Sequence, residues 1–372
     1  MNTRRVTALI VLVVIGLVAC ATHQNEVYQS PHYRDSQFQN MEPFVQDFSL
    51  SKTLDIVDKF WFQTFPDTEP TKPIPLQPLT REQLYATQGD HVWRLGHSTV
   101  LMKLSGQFWI TDPIFSDRAS PVQWAGPERF HASPIALDEL PPLQGVIISH
   151  DHYDHLDEQT ISALHARVQH FFVPLGVAKY LKDWGVAEQK IMELDWWESR
   201  SVGAFRITST PANHFSGRGL FNRNQTLWSS WVIDSGKRKI FFSGDSGYFD
   251  GFKMIGKEYG PFDLTIMENG AYNTDWAKVH MFPEQTLQAH KDLGGRLMLP
   301  VHNGTFKLAF HPWHEPLEKI VQLSLEDNIE VQTPKMGDAL SLDSPQTSVA
   351  WWRDQPDIPR VAQLPQDNLV EK

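Results

Sequence analysis

Three histidines and two aspartates lie within six residues of this chain, in the run His150-Asp151-His152-Tyr153-Asp154-His155. The run follows Gly145-Val146-Ile147-Ile148, an apolar stretch that predicts a buried strand. His150 and His152 share one face of the extended chain because side chains alternate along a strand, while Asp154 and His155 fall on the turn that follows. One short segment can therefore offer ligands to two metal ions.

Three further residues outside this run have the right chemistry for ligands. Two metal ions about 3.5–4 Å apart need roughly seven protein ligands, one of which can be a shared carboxylate, and the run supplies four. His214, Asp245 and His302 each follow an apolar, strand-like stretch, where open α/β sheets place their sites. Singly, each is more often an ordinary polar neighbour, but together they predict a two-metal centre. Its candidate ligands are His150, His152, Asp154, His155, His214, Asp245 and His302.

The elements that position these residues follow from the periodicity of the apolar residues. A strand-rich first third followed by alternation of strands and helices predicts an α/β fold of two packed sheets covered by helices. The strand candidates are Val92–Leu104, Gln107–Thr111, Gly145–Ser149, Gln169–Val173, Phe205–Thr210, Leu227–Asp234, Lys239–Ser243, Leu264–Met267 and Arg296–Val301. The helix candidates are Leu54–Trp61, Glu158–Arg167, Gly176–Trp184, Phe249–Tyr259, Pro283–Asp292 and Glu315–Asp327.

A series of short stretches between about residues 90 and 340 forms an ordered pattern around the candidate ligands. They are Gly96-His97-Ser98-Thr99, Thr111 to Ser116, Arg118 to Pro121, Gly126 to Phe130, Glu139 to Pro142, His150 to Asp157, Leu194 to Glu198, Gly244 to Tyr248, Gly260 to Asp263 and Gly270 to Tyr272. In this order they resemble the metallo-β-lactamase superfamily, and more closely its N-acyl-phosphatidylethanolamine-hydrolysing phospholipase D branch. The resemblance implies an αββα sandwich of two mixed β-sheets flanked by helices, with metals at one edge between the sheets.

The resemblance also implies two zinc ions and a set of catalytic residues. It assigns His150, His152 and His214 to one zinc, Asp154, His155 and His302 to the other, and Asp245 to a bridge between them. Asp112 corresponds to a carboxylate that orients a ligand imidazole, and His280 to a pocket residue near the substrate phosphate. Asp154, His280 and Asp112 are therefore the expected catalytic residues, with Asp154 able to bind metal and orient water. The implied reaction releases phosphatidic acid and an N-acylethanolamine from the phospholipid.

Two places depart from the family pattern and bear on the shape of the pocket. They are the segment Asn273–Lys278 and Asn303, which stands after His302 where the family pattern has a bulkier aromatic residue. A lactonase or another small-substrate hydrolase on the same metals therefore stays an alternative, because fold and ligands do not fix the substrate. A non-catalytic zinc-binding envelope lipoprotein is the third hypothesis, although the full ligand set argues against it.

The N-terminus predicts export and lipidation. Residues 1–19 predict a signal peptide, because Arg4-Arg5 precede an apolar core too short for a comfortable membrane span. The segment ends in Leu17-Val18-Ala19-Cys20, which resembles a bacterial lipobox; the alternative is a plain signal peptide or anchor with an incidental cysteine. Cys20 is the only cysteine, so an intrachain disulfide is excluded. Ala21 rather than Asp follows it, so we expect a lipoprotein on the periplasmic face of the outer membrane.

Composition and proline content set the remaining expectations. With 33 basic and 44 acidic residues the net charge is −11, so we expect no nucleic-acid partner; the expected partners are a phospholipid or other diester and the membrane.

Five prolines between Pro66 and Pro78 predict an extended spacer. The predicted division is a signal peptide (1–19), a lipidated N-terminus with a proline-rich linker (20–80), a hydrolase domain (81–345) and a tail (346–372). Trp351-Trp352 in the tail either cover the domain or touch the membrane.

Replacing Cys20 tests the predicted lipid anchor. Cys20→Ser removes the thiol that would carry the lipid chains, and an acidic protein has no electrostatic attraction to anionic lipid that could replace them. We expect the variant to leave the membrane fraction, measured by fractionation and immunoblotting, while the neighbouring control Thr22→Ala stays membrane-bound. If Cys20→Ser remains membrane-bound with unchanged detergent dependence, the lipidation prediction is wrong.

Overall fold

The computed structural model describes residues 28–42, 50–219, 221–346 and 349–354, apart from the side chains of Leu50, Thr53, Phe60 and Trp61. The predicted signal peptide, Cys20 and the tail beyond residue 354 lie outside the described residues. In chain order the strands are β1 (Tyr33–Arg34), β2 (Gln37–Phe38), β3 (His91–Gly96), β4 (Thr99–Leu104), β5 (Gln107–Thr111), β6 (Leu143–Ile147), β7 (Val168–Pro174), β8 (Ile191–Leu194), β9 (Ser199–Val202), β10 (Phe205–Thr210), β11 (Ser230–Asp234), β12 (Lys239–Phe242), β13 (Phe262–Glu268), β14 (Gly295–Val301), β15 (Glu330–Val331) and β16 (Ala339–Ser341).

Fourteen of these strands form two seven-stranded mixed sheets, and β1 and β2 form a small hairpin. The first sheet has the order β16-β3-β4-β5-β6-β7-β8, and its strands are parallel from β5 to β8. The second has the order β15-β14-β13-β12-β11-β10-β9, and its strands are parallel from β12 to β15. The remaining pairings in both sheets are antiparallel. Each sheet therefore has a block of parallel strands whose carboxyl ends share one edge.

The main core lies between the two sheets. Trp109 and Phe172 from the first sheet meet Phe205 and Trp231 from the second in one buried cluster. The Trp109 and Phe205 ring centroids are 4.7 Å apart. Glycine at Gly145 makes room for this packing, because a Cβ there would lie 2.3 Å from the Trp109 ring. Aromatic side chains thus fix the spacing of the two sheets.

Helices cover both outer faces, which gives the layer order αββα. The helices are α1 (Leu50–Phe62), α2 (Arg81–Ala86), α3 (Glu158–Leu164), α4 (Ala178–Asp183), α5 (Gly251–Tyr259), α6 (Pro283–Asp292) and α7 (Glu315–Glu326). Apolar residues of α3 and α4 pack on the first sheet, and those of α5, α6 and α7 pack on the second. The predicted α/β sandwich is confirmed. Among the described residues, no helix is both long enough and apolar enough to cross a bilayer.

The prediction of a single strand over Val92–Leu104 is wrong, because the structure divides this stretch into β3 and β4. Gly96 has a φ of 143° and His97 a φ of 47°, and these conformations break the extended chain into a tight turn. The pattern of apolar residues continues on both sides of the turn, so periodicity alone could not reveal it. The turn places His97 at the end of β3, at the edge of the sheet.

The proline-rich linker expected within residues 20–80 is not a free spacer where it is described. Phe38 is fully buried in a cluster with Trp228, and Ile74 is buried in a cluster with Trp313. At these two positions the segment packs on the domain, because apolar side chains gain stability from burial. The domain boundaries themselves stay predictions.

The two tryptophans of the tail cover the domain. Trp351 and Trp352 are buried in a cluster with apolar residues of α7 and with Trp313, which lies in the loop before α7. The Trp351 indole N–H donates to the Thr333 carbonyl at 3.1 Å, and the Trp352 indole N–H donates to a Glu318 carboxylate oxygen at 2.8 Å. Both rings are therefore part of the folded domain and are not available to a membrane.

Truncating Trp351 should destabilise the domain strongly. Its side chain is buried, so we expect Trp351→Ala to lower the free energy of unfolding by about 3–5 kcal/mol, measured by urea denaturation. Leu325→Ala on α7 is the control, since Leu325 is 62% exposed and its loss should cost less than about 0.5 kcal/mol. Equal effects of the two substitutions would contradict the docking of the tail.

Candidate metal centre

The seven predicted ligands converge at the edge where the parallel strands of both sheets end. The run from His150 to His155 follows β6 of the first sheet, while the other ligands follow β10, β12 and β14 of the second. Parallel strands carry the residues after their carboxyl ends to a common edge, as in other open α/β sheets. The structure brings together His150, His152, Asp154, His155, His214, Asp245 and His302.

Three histidines form the first ligand group, which we call the three-histidine group: His150, His152 and His214. The His150 Nε2 atom lies 2.8 Å from His152 Nδ1, which lies 3.3 Å from His214 Nε2. Zinc bound tetrahedrally at 2.0–2.1 Å separates its ligand nitrogens by roughly 3.3 Å. The two separations from His152 are therefore close to those between ligand nitrogens on one zinc ion, and all three ligand atoms lie within 4.8 Å of one another.

The second ligand group, called the mixed group, consists of Asp154, His155 and His302. One oxygen of Asp154 lies 3.3 Å from Nε2 of His155 and 3.3 Å from Nε2 of His302. This spacing again matches the ligand separation around a tetrahedral ion. His97 approaches the same carboxylate oxygen at 2.9 Å through its Nε2 atom. The mixed group is therefore a second compact set of nitrogen and oxygen donors.

Asp245 lies between the two groups. Its Oδ2 atom is 3.2 Å from Nε2 of His155 and 3.1 Å from Nε2 of His302 in the mixed group. The same oxygen is 3.7 Å from Nε2 of His214 and 3.9 Å from Nε2 of His150 in the three-histidine group. One carboxylate is thus within reach of two ions, one in each group.

The unpaired polar atoms of the site fit metal binding. Nε2 of His155, Nε2 of His302 and Oδ1 of Asp245 are buried and have no hydrogen-bond partner within the described part of the chain. Buried polar atoms in folded proteins are almost always satisfied. These are the atoms a divalent cation would contact, so the residues present fit the ions that the resemblance implies.

The charge distribution leads to the same conclusion. Burial alone would raise the pKa of Asp245, but the neighbouring His155 and His302 hold it well below its usual range. Burial alone would lower the pKa of His302, but Asp245 and Asp154 raise it to about 10. The carboxylates therefore draw positive charge into a buried site. Divalent cations would supply that charge and release the protons from the imidazoles.

Asp112 lies behind the mixed group and holds His155 in place. One of its oxygens is 2.6 Å from Nδ1 of His155 and accepts the Ser149 hydroxyl hydrogen bond at 2.6 Å. The other accepts the Ser149 backbone N–H at 2.7 Å. A carboxylate bonded to the far nitrogen of a ligand histidine fixes its ring orientation. Asp112 is fully buried, which fits the orienting role that the resemblance implies for it.

His280 lies beside both ligand groups. Its ring centroid is 5.2 Å from that of His214 and 5.3 Å from that of His302. Its Nδ1 atom is hydrogen-bonded to a buried oxygen of Glu268. Burial lowers the pKa of His280 to about 4. Since Nδ1 is occupied by Glu268, Nε2 is the nitrogen left for a ligand or substrate.

Sequence reasoning missed His97 and Glu268. Both are the polar residues that end or follow an apolar strand, β3 and β13, and that signal could have identified them. The other Glu268 oxygen accepts the backbone N–H of Ser246 at 2.7 Å, next to Asp245. The two residues thus support the mixed group and His280, respectively.

The two departures from the family pattern have structural roles. Asn303 is buried, and its side chain accepts from Arg94 at 2.9 Å and donates to the Asn269 and Val301 carbonyls. Its amide therefore joins the loops behind His302, so a bulkier aromatic residue would not satisfy the same groups.

In the segment Asn273–Lys278, Asp275 pairs with two lysines of α1, Lys52 at 2.6 Å and Lys59 at 2.7 Å. The segment that leads to His280 is therefore tied to the N-terminal helix. Both departures thus alter the surroundings of the ligands, and neither removes one.

Comparison with known proteins places this geometry in a family. The chain matches the model of the β-lactamase superfamily domain over residues 109–303. An uncharacterized protein of Mycobacterium tuberculosis is 41% identical over 330 residues, 87% of this chain and 88% of that protein. N-acyl-phosphatidylethanolamine-hydrolyzing phospholipase D 1 of Caenorhabditis elegans is 36% identical over 264 residues, 67% of this chain and 74% of that protein. Outer membrane protein RomA of Klebsiella pneumoniae is 57% identical over 94 residues, 25% of this chain and 70% of that protein.

The matched region begins on β5 and ends directly after His302, so it contains all seven ligands of the two groups. The αββα layers and the ligands at the shared edge of the sheets agree with the same assignment. The chain therefore belongs to the metallo-β-lactamase superfamily of metal-dependent hydrolases.

Proposed function

We propose that the protein is a dinuclear zinc hydrolase that cleaves N-acyl-phosphatidylethanolamine-type phospholipids to phosphatidic acid and N-acylethanolamines. The observation that carries the proposal is the pair of ligand groups on either side of the Asp245 carboxylate, with His280 facing a member of each. The similarity to the nematode phospholipase D supports the class of substrate. The similarity to an outer membrane protein and the predicted lipidation at Cys20 support a location beside phospholipid.

The open side of the site provides the groups that would act on a phosphodiester. Two zinc ions held by the ligand groups would supply Lewis acidity and a bound water of lowered pKa. The Asp154 side chain is 15% exposed whereas that of Asp245 is 2% exposed, so Asp154 faces the open side. Its carboxylate can therefore hold the attacking water in orientation while it contributes to the mixed group.

His280 is placed to act on the leaving group. Its side chain is 14% exposed, and the contact with Glu268 fixes its ring with Nε2 free. In the proposed step the water gives up one proton to the solvent and its oxygen bonds to phosphorus. The bond from phosphorus to the ethanolamine oxygen breaks, and the departing alkoxide takes a proton. A positioned histidine commonly supplies such a proton. Burial raises the pKa of Glu268 well above its usual range, so Glu268 can carry the proton shared with Nδ1 and leave the N–H of the neutral ring on Nε2. His280 is therefore the proposed donor to the departing oxygen, and Glu268 its positioning residue.

Metal analysis tests the dinuclear centre. We expect about two zinc ions per chain, and we expect Asp245→Asn to lose at least one because the shared carboxylate charge is removed. Chelation should abolish hydrolysis, and added zinc should restore it. Asp250→Asn is the control, since that aspartate is exposed and paired only with Lys253 among the described contacts. Full turnover by metal-free protein, or two tightly bound ions in Asp245→Asn, would contradict the proposal.

Turnover of a lipid tests the substrate. Zinc-loaded protein should release phosphatidic acid from N-acyl-phosphatidylethanolamine in detergent micelles, measured by mass spectrometry. His280→Ala should lower kcat by about 10²–10⁴-fold with both ions retained, and Glu268→Gln should cause a smaller loss. The control is His170→Ala, a partly exposed histidine of β7 whose ring contacts Phe172. If no ethanolamine phospholipid is cleaved while a lactone or soluble diester is, the substrate assignment is wrong.

A further inference from the structure

Asn40, far from the ligands in sequence, contacts the metal ligand His214 directly. The Asn40 side-chain N–H donates to the His214 carbonyl oxygen at 2.8 Å, and the His214 backbone N–H donates to Asn40 Oδ1 at 3.0 Å. The Trp228 indole N–H donates to the same Oδ1 atom at 2.9 Å. One amide thus satisfies both backbone polar groups of a buried ligand residue.

The segment that carries Asn40 is held firmly against the domain. Phe38 is fully buried in a cluster with Trp196 and Trp228, and its backbone N–H donates to the Asn224 carbonyl at 2.8 Å. This anchor lies two residues before Asn40. The amide therefore reaches His214 from a fixed backbone and not from a free end.

His214 has particular need of such a partner. It lies beyond the end of β10, where no strand pairing holds its backbone, and its ring Nδ1 is 3.0 Å from the Val279 carbonyl oxygen. The Val279 contact restricts rotation of the imidazole ring about the bond that joins it to the side chain. The Asn40 contacts fix the backbone from which the side chain projects. The position of Nε2, which faces the three-histidine group, depends on both.

We infer that Asn40 is a positioning residue of the three-histidine group, and that the N-terminal segment outside the matched region 109–303 is therefore part of the metal centre. This inference rests on the proposed dinuclear function. Hydrogen-bonding partners that orient metal ligands typically contribute 10–100-fold to metal affinity. Loss of the Asn40 amide should therefore weaken one of the two metal-binding events by about that factor and leave the ion of the mixed group bound.

Zinc titration of metal-free protein against a chromophoric chelator tests the inference without any substrate. We compare the wild-type protein, Asn40→Ala and the control Gln39→Ala, whose side chain has no hydrogen bond among the described residues. The expected result is selective weakening of one binding event in Asn40→Ala, with both events unchanged in Gln39→Ala. Cobalt substitution provides a second readout, since the visible absorption of one of the two ions should change.

Thermal unfolding of the metal-free proteins separates positioning from general damage. A positioning role predicts similar melting temperatures for Asn40→Ala and the wild-type protein, together with the selective loss of affinity. Equal weakening of both events with a lowered melting temperature would overturn the inference, as would unchanged affinities. If Asn40→Ala does not fold, Asn40→Asp removes the N–H donor to the His214 carbonyl while keeping an acceptor oxygen, and unchanged zinc affinity in that variant would overturn the inference. Failure of the wild-type protein to bind a second ion would instead contradict the proposed dinuclear centre.

Discussion

A carboxylate buried among imidazoles requires positive charge close by. Because Asp245 is such a carboxylate, the edge of both sheets around it must supply or bind positive charge. The backbone of Asp245 comes from the second sheet, whereas His150 and His155 come from the first, so the sheets must approach each other closely there. Gly244 permits the approach. It has a φ of 54°, and a Cβ on it would lie 2.5 Å from the Ser149 side chain of the opposite sheet. The packing between the sheets and the charge of the site are therefore two aspects of one constraint.

Much of this edge could be predicted because the ligands stand at the ends of apolar strands. The buried parallel strands have nearly continuous apolar sequences, and the polar residue after each one is conspicuous. His97 was not predicted as a site residue, because the turn that places it depends on backbone conformation, which leaves no periodic signal in the sequence. Asp112 and His302 also have positive φ values, 33° and 63°, and such strained residues are known to cluster at functional sites. The sequence pattern therefore identifies which residue types form a site, but it does not reveal the backbone angles that orient their side chains.

The contacts made by the N-terminal segment could not be predicted for a different reason. Asn40 meets His214 and Lys59 meets Asp275 across long separations in sequence. A side chain with one specific distant partner produces no periodicity. The burial of Trp351 in the tail could not be predicted for the same reason, since it depends on where α7 and the loop before it lie. Pairings of this kind become visible only in the folded chain.

The docking of the chain from Tyr28 onward limits how far the domain can stand from any lipid attached at Cys20. A fully extended chain spans at most about 3.3–3.6 Å per residue, so the segment from Cys20 to Tyr28 reaches no more than roughly 30 Å. A spacer that ran to residue 80 would have allowed several times that distance. A lipidated form would therefore be confined to the surface of its own membrane, with the start of the described chain, Tyr28, only a short tether length from the bilayer. Its encounters with lipid would then be governed by two-dimensional diffusion in that membrane and not by exchange with vesicles in solution.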